Sequence, residues 1–324
     1  MRVFINGFGR IGRSVVRAWA LAPENWPGLQ IVGLNDIAAA EMCAYLFEYD
    51  STFGPWAGSV DVADGCLLVN GHAIPLHRSP DISTLDLSSV DVVMECTGRA
   101  DVRPVAERGL KAGARRILVS GPSAAADLTL VLGANDGELD RQAIISNASC
   151  TTNALAPLVR VLDDALGIVT GTMTTIHCYT GSQPTVDAPA ADFARSRAAA
   201  LSMVPTTTSA SRLLDEVLPQ VAGRISGSAV RVPVASVSCV DLSVIVEKPA
   251  AVDAINALLQ QAGGVIGWTD KPLVSSDLRA RPESIVMALP ETRVTNAGML
   301  RVFGWYDNEW GFSNRMLDVA LRLG

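Results

Sequence analysis

A cysteine becomes a strong nucleophile once it loses its proton, and one of the six cysteines in this 324-residue chain stands where that loss is favoured. The strand-like run Ala143-Ile144-Ile145-Ser146 gives way to Ser149-Cys150-Thr151-Thr152-Asn153-Ala154, after which Leu155, Leu158, Val159, Leu162 and Leu166 recur at helical spacing. Cys150 is therefore expected at a helix start, where free N–H groups and the positive dipole end lower a thiol pKa toward neutrality. Pro157 removes one backbone hydrogen bond from that helix, but downstream of its first turn. A thiol nucleophile needs a base. His177 closes the run Met173-Thr174-Thr175-Ile176 just before a polar loop, whereas His72 and His77 lie near Asn70-Gly71, a hairpin-turn pair, and read as surface residues. On these local features alone, an inert buried cysteine and a structural histidine stand as alternatives.

A second constellation lies at the start of the chain. Gly7-Phe8-Gly9-Arg10-Ile11-Gly12 fits G-x-G-x-x-G between the strand-like Arg2–Asn6 and an amphipathic segment from Ile11 to Ala22. In that context the first glycine serves a tight turn, the second lets a pyrophosphate approach the backbone, and the third allows a helix to pack on a sheet. Asp36 follows the next strand-like run, Leu29–Leu34, where a carboxylate binds two ribose hydroxyls and repels a 2′-phosphate. The pattern predicts a dinucleotide site that prefers NAD to NADP. A bare tight turn is the competing reading.

The elements that must carry these residues follow from alternation. Short apolar runs at Val90–Glu95, Arg116–Ser120, Thr129–Leu132 and Ala143–Ser146 are separated by helix-like stretches, which predicts a parallel sheet covered by helices. After residue 150 longer alternating runs, Thr172–His177 and Ser236–Val244, point to an α+β second domain. Helical spacing returns over Ala254–Gln261 and at Met316, Leu317, Ala320 and Leu321. No disordered linker separates the two halves, so close packing with a ligand cleft between them is expected.

Composition narrows the partners. A formal net charge of −7 without a basic run argues against nucleic acid, and no apolar stretch is long enough to span a bilayer. The scattered cysteines show no C-x-x-C pair or metal-ligand spacing, so no metal is expected, and they suit a reducing compartment. With no apolar secretory segment at the start, a cytoplasmic location is expected.

Five motifs in one order carry a family resemblance: Asn6–Arg13, Ser146–Asn153, Thr174–His177, Arg231-Val232-Pro233 and Trp305–Gly311. Together they resemble the phosphorylating glyceraldehyde-3-phosphate dehydrogenases from end to end. The resemblance implies a Rossmann-type doubly wound parallel sheet over residues 1–149, a second α+β catalytic domain over 150–313, and a C-terminal helix, 314–324, packed back on the NAD-binding domain. It implies a glycolytic oxidoreductase and homotetramer, with Cys150 adding to a phosphorylated aldehyde, His177 moving protons, and inorganic phosphate cleaving a thioester. Cofactor contacts implied are Gly7, Gly9, Arg10, Ile11, Gly12, Asp36, Arg78, Thr97, Gly98, Ser120 and Asn314, the last at the nicotinamide carboxamide. For the two phosphates it implies Ser149, Thr151, Thr180, Ser182, Arg195, Thr208, Ser209 and Arg231.

Four positions depart from the usual family pattern: Cys96, Ala154, Ser182 and Ser209 stand where serine, cysteine, threonine and glycine are common. Ser209 matters most, because a side chain beside Thr208 alters the site of the attacking phosphate. Two other readings stand. The sister erythrose-4-phosphate dehydrogenases, which release a free acid, are similar over Arg195–Ala199 and Asn308–Asp318, and a catalytically idle binding protein would retain the same fold.

Overall fold

A computed structural model describes all 324 residues. The chain divides into two units, the first holding Met1–Leu130, Gly137–Ala148 and Phe312–Gly324 and the second Val131–Asp136 and Ser149–Gly311. The first unit is built on nine strands: β1 (Arg2–Asn6), β2 (Gln30–Asn35), β3 (Val60–Ala63), β4 (Cys66–Val69), β5 (His72–His77), β6 (Val92–Glu95), β7 (Arg116–Val119), β8 (Leu128–Thr129) and β9 (Ile144–Ser146). Their order is β3-β4-β5-β2-β1-β6-β7-β9-β8, parallel throughout except for the β3-β4-β5 meander. Every residue of β6 is buried, as expected of a strand covered on both faces. Phe4, Val93, Ile117 and Ile144 join one core cluster.

The order reverses between β2-β1 and β1-β6, and that switch point opens a crevice at the carboxyl ends of the strands. Into it runs the turn from β1 to the helix Arg10–Leu21. The helix Trp310–Arg322 contributes its residues from Phe312 onward to this unit, and Trp26 Nε1 donates to Asp318 Oδ1 at 2.6 Å to fasten it.

The second unit carries eight strands: β10 (Ile168–Cys178), β11 (Val204–Thr206), β12 (Ile225–Val232), β13 (Ser238–Val246), β14 (Ile266–Thr269), β15 (Ile285–Ala288), β16 (Arg293–Val294) and β17 (Leu300–Tyr306). The main path is β11-β12-β10-β13-β17-β15-β14, with β16 beside β17. β10 and β12 run parallel with His177 opposite Arg231. Alternation in β10 turns Met173, Thr175 and His177 inward and leaves Thr172 and Ile176 exposed. The helix Cys150–Leu166 continues through Pro157 and packs against this sheet, which brings its first residue to the inward row.

One expected strand is mostly absent. Thr129–Leu132 contributes only Thr129 to β8, because beyond the Leu130 N–H bond to Ser146 the chain turns, with Gly133 in the left-handed region. Leu130, Val131 and Leu132 are buried without a ladder, so their apolar run reported burial rather than a strand. No helix is long and apolar enough to cross a membrane.

The hairpin pair Asn70-Gly71 is present, with both residues at positive φ between β4 and β5. Asn70 Oδ1 also accepts from Trp56 Nε1 at 3.2 Å and Ser59 N–H at 3.1 Å. Asn70→Ala is expected to destabilise the protein by about 1 to 3 kcal/mol, read from denaturant melts, because it adds left-handed strain to the loss of the one oxygen that accepts both bonds.

Candidate active site and cofactor pocket

At the switch point of the first unit the glycines differ in what they face. A Cβ on Gly7, whose φ is +96°, would lie 2.7 Å from the Cys96 carbonyl carbon, and one on Gly12 would lie 2.2 Å from the Gly7 oxygen. Packing within the protein requires both. A Cβ on Gly9 would meet no protein atom within 4 Å, and Gly9, which caps the helix Arg10–Leu21, brings no side chain to its first N–H groups. That open cradle of N–H donors fits a pyrophosphate. The Arg10 guanidinium is drawn away to Asp50, so this residue offers the cradle its backbone.

Beside the cradle is a cavity of about 280 Å³ lined by Gly7, Gly9, Asp36 and Thr97, and also by Asn6, Asn35, Ser79, Pro80 and Arg99. Asp36 is fixed by Phe8 N–H to Oδ2 at 2.8 Å and Ala38 N–H to Oδ1 at 2.9 Å. Gly98 and Ser120 line a smaller neighbouring cavity, Ile11 and Gly12 lie in the helix, and Arg78 donates to the Ile37 carbonyl at 3.2 Å. Asn314 is buried in the helix Trp310–Arg322. Asn6, Asn35, Ser79 and Arg99 were not singled out from sequence. The only signal was polarity immediately after apolar strands.

In the second unit the thiol meets its histidine. Ser149 Oγ accepts from Thr152 N–H at 3.1 Å and caps the helix, and Cys150 Sγ lies 3.5 Å from His177 Nε2. His177 Nδ1 is 2.7 Å from the Cys178 carbonyl oxygen and 2.9 Å from Arg231 Nη1. Nδ1 cannot donate to the carbonyl and accept from Arg231 at once. Arg231 Nη1 already donates to that carbonyl at 2.9 Å, and the shorter contact assigns the ring proton to Nδ1. Nε2 is then a free acceptor facing sulfur. Behind it Tyr306 Oη bridges Thr151 and Thr175 hydroxyls, 2.8 Å each, with its ring edge-on to His177.

The helix start does not by itself create a thiolate. Burial pushes the Cys150 thiol up from its ordinary value, with Arg231 and the Thr151 hydroxyl and N–H pulling the other way. Burial, with Arg231 adding to it, also pushes His177 down to about 4. The resting pair is therefore neutral thiol and neutral imidazole at pH 7. The dipole is local to one helix and legible in sequence, whereas the extent of burial, there only an alternative, depends on residues distant in the chain.

Around the pair is a cleft of about 340 Å³, at the small end of ligand pockets and lined by Ser149, Thr151, Arg195, Thr206, Thr207, Thr208, Ser209 and Arg231 without a single carboxylate. Arg195 is held by Thr206 Oγ1 at 2.5 Å and by the Thr207 carbonyl and hydroxyl at 3.3 Å each. Thr208 Oγ1 accepts from Ala210 N–H at 3.1 Å, and the Ser209 side chain makes no cap bond. Thr180 and Ser182, also in the expected set, lie in the polar loop after β10, where their hydroxyls hydrogen-bond each other at 3.0 Å, and they are not among the residues that line this cleft.

Gly9→Ala should leave the melting temperature nearly unchanged but weaken NAD binding about tenfold or more by calorimetry, whereas Gly12→Ala should destabilise by about 1 to 3 kcal/mol. Arg231→Gln should move the alkaline limb of Cys150 alkylation by iodoacetamide to higher pH, because the lost cation stabilises thiolate. A limb that stays in place would show that Arg231 does not act on the sulfur.

Comparison with known families bears directly on this geometry. The family model described as glyceraldehyde 3-phosphate dehydrogenase, NAD binding domain, matches residues 1–103, and its C-terminal domain counterpart matches residues 149–308. Glyceraldehyde-3-phosphate dehydrogenase of Xanthobacter flavus is 44% identical over 100% of this chain and 98% of its own length. The Cereibacter sphaeroides enzyme of that name is 43% identical over the same shares, and that of Geobacillus stearothermophilus is 42% identical over 99% and 97%. With both domain models matched in order and full-length relatives above 40% identity, the chain belongs to the glyceraldehyde-3-phosphate dehydrogenase family and is an NAD-dependent oxidoreductase.

Proposed function

We propose that the protein oxidises glyceraldehyde 3-phosphate to 1,3-bisphosphoglycerate with inorganic phosphate, through a thioester on Cys150. The observation that carries this reading is the cleft around Cys150 and His177, where two guanidinium groups and several hydroxyls converge without a carboxylate. Such a surface selects anionic substrates.

In this reading Cys150 sulfur bonds to the aldehyde carbon while its proton moves to His177 Nε2, and the imidazolium returns that proton to the carbonyl oxygen. Bound NAD supplies the hydride acceptor. His177 takes the hydroxyl proton as hydride leaves the carbon, and the carbon remains on sulfur as a thioester. A phosphate oxygen then attacks, the C–S bond breaks, and Cys150 leaves as a thiolate that takes back the proton held on His177, which restores the neutral pair. Arg195, Arg231, Ser149, Thr151, Thr208 and Ser209 hold the substrate phosphate and the attacking phosphate. Burial keeps His177 near 4 and Arg231 adds to it; an anion beside Arg231 offsets the second of these, so the base strengthens when substrate is present.

In the first unit, Asp36 takes the ribose hydroxyls and disfavours NADP, and Asn314 orients the carboxamide. Domains divide as 1–149, 150–313 and 314–324. The protein acts in the cytoplasm, which suits six free thiols, and assembles as a homotetramer. Supporting self-association, Phe193 is 95% exposed, Leu201 83% and Met203 74%, all in the segment between β10 and β11.

NADH formation should require phosphate and should favour glyceraldehyde 3-phosphate. If erythrose 4-phosphate gives NADH without phosphate, and glyceraldehyde 3-phosphate is much poorer, the protein releases a free acid instead. No NADH from either aldehyde, with or without phosphate, would identify an idle binding protein.

A further inference from the structure

A chain of buried polar side chains crosses the carboxyl ends of β1, β2 and β6, and the chemistry above does not use it. Glu95, the last residue of β6, is 2% exposed, and Asn6 and Asn35 are the last residues of β1 and β2, also buried. Asn6 Nδ2 donates to Glu95 Oε2 at 2.5 Å, and Asn35 Nδ2 donates to Asn6 Oδ1 at 2.8 Å and to the Ser79 carbonyl at 3.0 Å. Ser79 N–H in turn donates to Asn35 Oδ1 at 2.8 Å. On its other side, Glu95 Oε1 accepts from Thr97 N–H at 3.0 Å and from the Thr97 hydroxyl, which accepts from Arg99 N–H at 3.3 Å.

Three features separate this from ordinary core polarity. Every group bonded to Glu95 is a donor, and no lysine, arginine or histidine is among them. Only an acceptor on both oxygens satisfies that arrangement, so a carboxamide would turn an N–H against an N–H. The network sits at the switch point, where β2-β1 meets β6 and a dinucleotide crosses the sheet. Its outer members, Asn6, Asn35, Ser79, Thr97 and Arg99, line the cavity beside Gly7 and Gly9.

We propose that Glu95 is a positioning residue for NAD, which holds the Thr97–Arg99 turn and the Asn6 strand end in the shape the cofactor requires. It acts through Thr97 and Asn6. The proposal rests on NAD being the cofactor and is independent of which aldehyde is oxidised or what accepts the acyl group.

The test measures NAD dissociation constants calorimetrically on the full chain, without aldehyde or phosphate. E95Q should weaken NAD about tenfold or more, equivalent to about 1.4 kcal/mol. The double variant N6D/E95Q exchanges donor and acceptor across the pair, since the new carboxamide can donate to the new carboxylate and its oxygen can still accept from Thr97. It should recover affinity to within about threefold of the native protein. Folded E95Q that binds NAD within twofold of native overturns the proposal, as does a double variant with native melting temperature but the affinity of E95Q. If E95Q does not fold, E95D takes its place: it keeps the charge but withdraws it by one methylene, and native affinity in folded E95D overturns the proposal.

Discussion

The catalytic arrangement depends on one contact, Arg231 Nη1 at 2.9 Å from the His177 ring, fixed by the parallel register of β10 and β12. Strand pairing sets the two residues opposite each other, and the Cys178 carbonyl, which accepts from Arg231 Nη1 at 2.9 Å, holds the guanidinium beside the ring. Burial, with Arg231 adding to it, keeps the imidazole neutral, and the Cys178 carbonyl accepts from both groups, which assigns the ring proton to Nδ1. The free lone pair at Nε2, and the sulfur 3.5 Å from it, follow from that geometry.

The two units solve a shared problem with opposite signs. A parallel strand pair, β1 with β6 in the first unit and β10 with β12 in the second, brings polar strand ends together at its carboxyl end, where little water remains to solvate them. In the first unit Glu95 is surrounded by donors, whereas in the second Arg231 faces a carbonyl and a ring nitrogen. Neither forms an ion pair. An ion pair at either position would satisfy the charge but fill its field locally; leaving one sign uncompensated lets that field reach the neighbouring cavity. Both charges consequently lie beside a ligand pocket rather than deep in a core.

What could be read from sequence was local. Gly7-Phe8-Gly9-Arg10-Ile11-Gly12, the strands on either side, and the helix after Cys150 are contiguous patterns, and each is present in the structure. What could not be read depended on separation. Asn6 and Glu95 are 89 residues apart and Thr151 and Tyr306 are 155 apart, so no spacing rule pairs them. The direction of the Cys150 shift was hidden for the same reason: a dipole belongs to one helix, but burial is contributed by every element packed around it. Leu130 to Leu132 show the complementary limit, since an apolar run fixes burial and leaves the hydrogen-bond partner open.

A neutral resting pair has a chemical advantage over a permanent thiolate. A buried thiol that keeps its proton reacts slowly with oxidants and adventitious electrophiles, because the thiolate is the reactive form. Proton transfer to His177 becomes favourable only when something stabilises the resulting charges, and the cleft allows an anion to do so from the side of Arg231. Arg231, which adds to burial in disfavouring imidazolium, is the group a bound anion would neutralise. Reactivity would then be coupled to occupancy by electrostatics alone, without a moving lid or a change in the Cys150 to His177 distance.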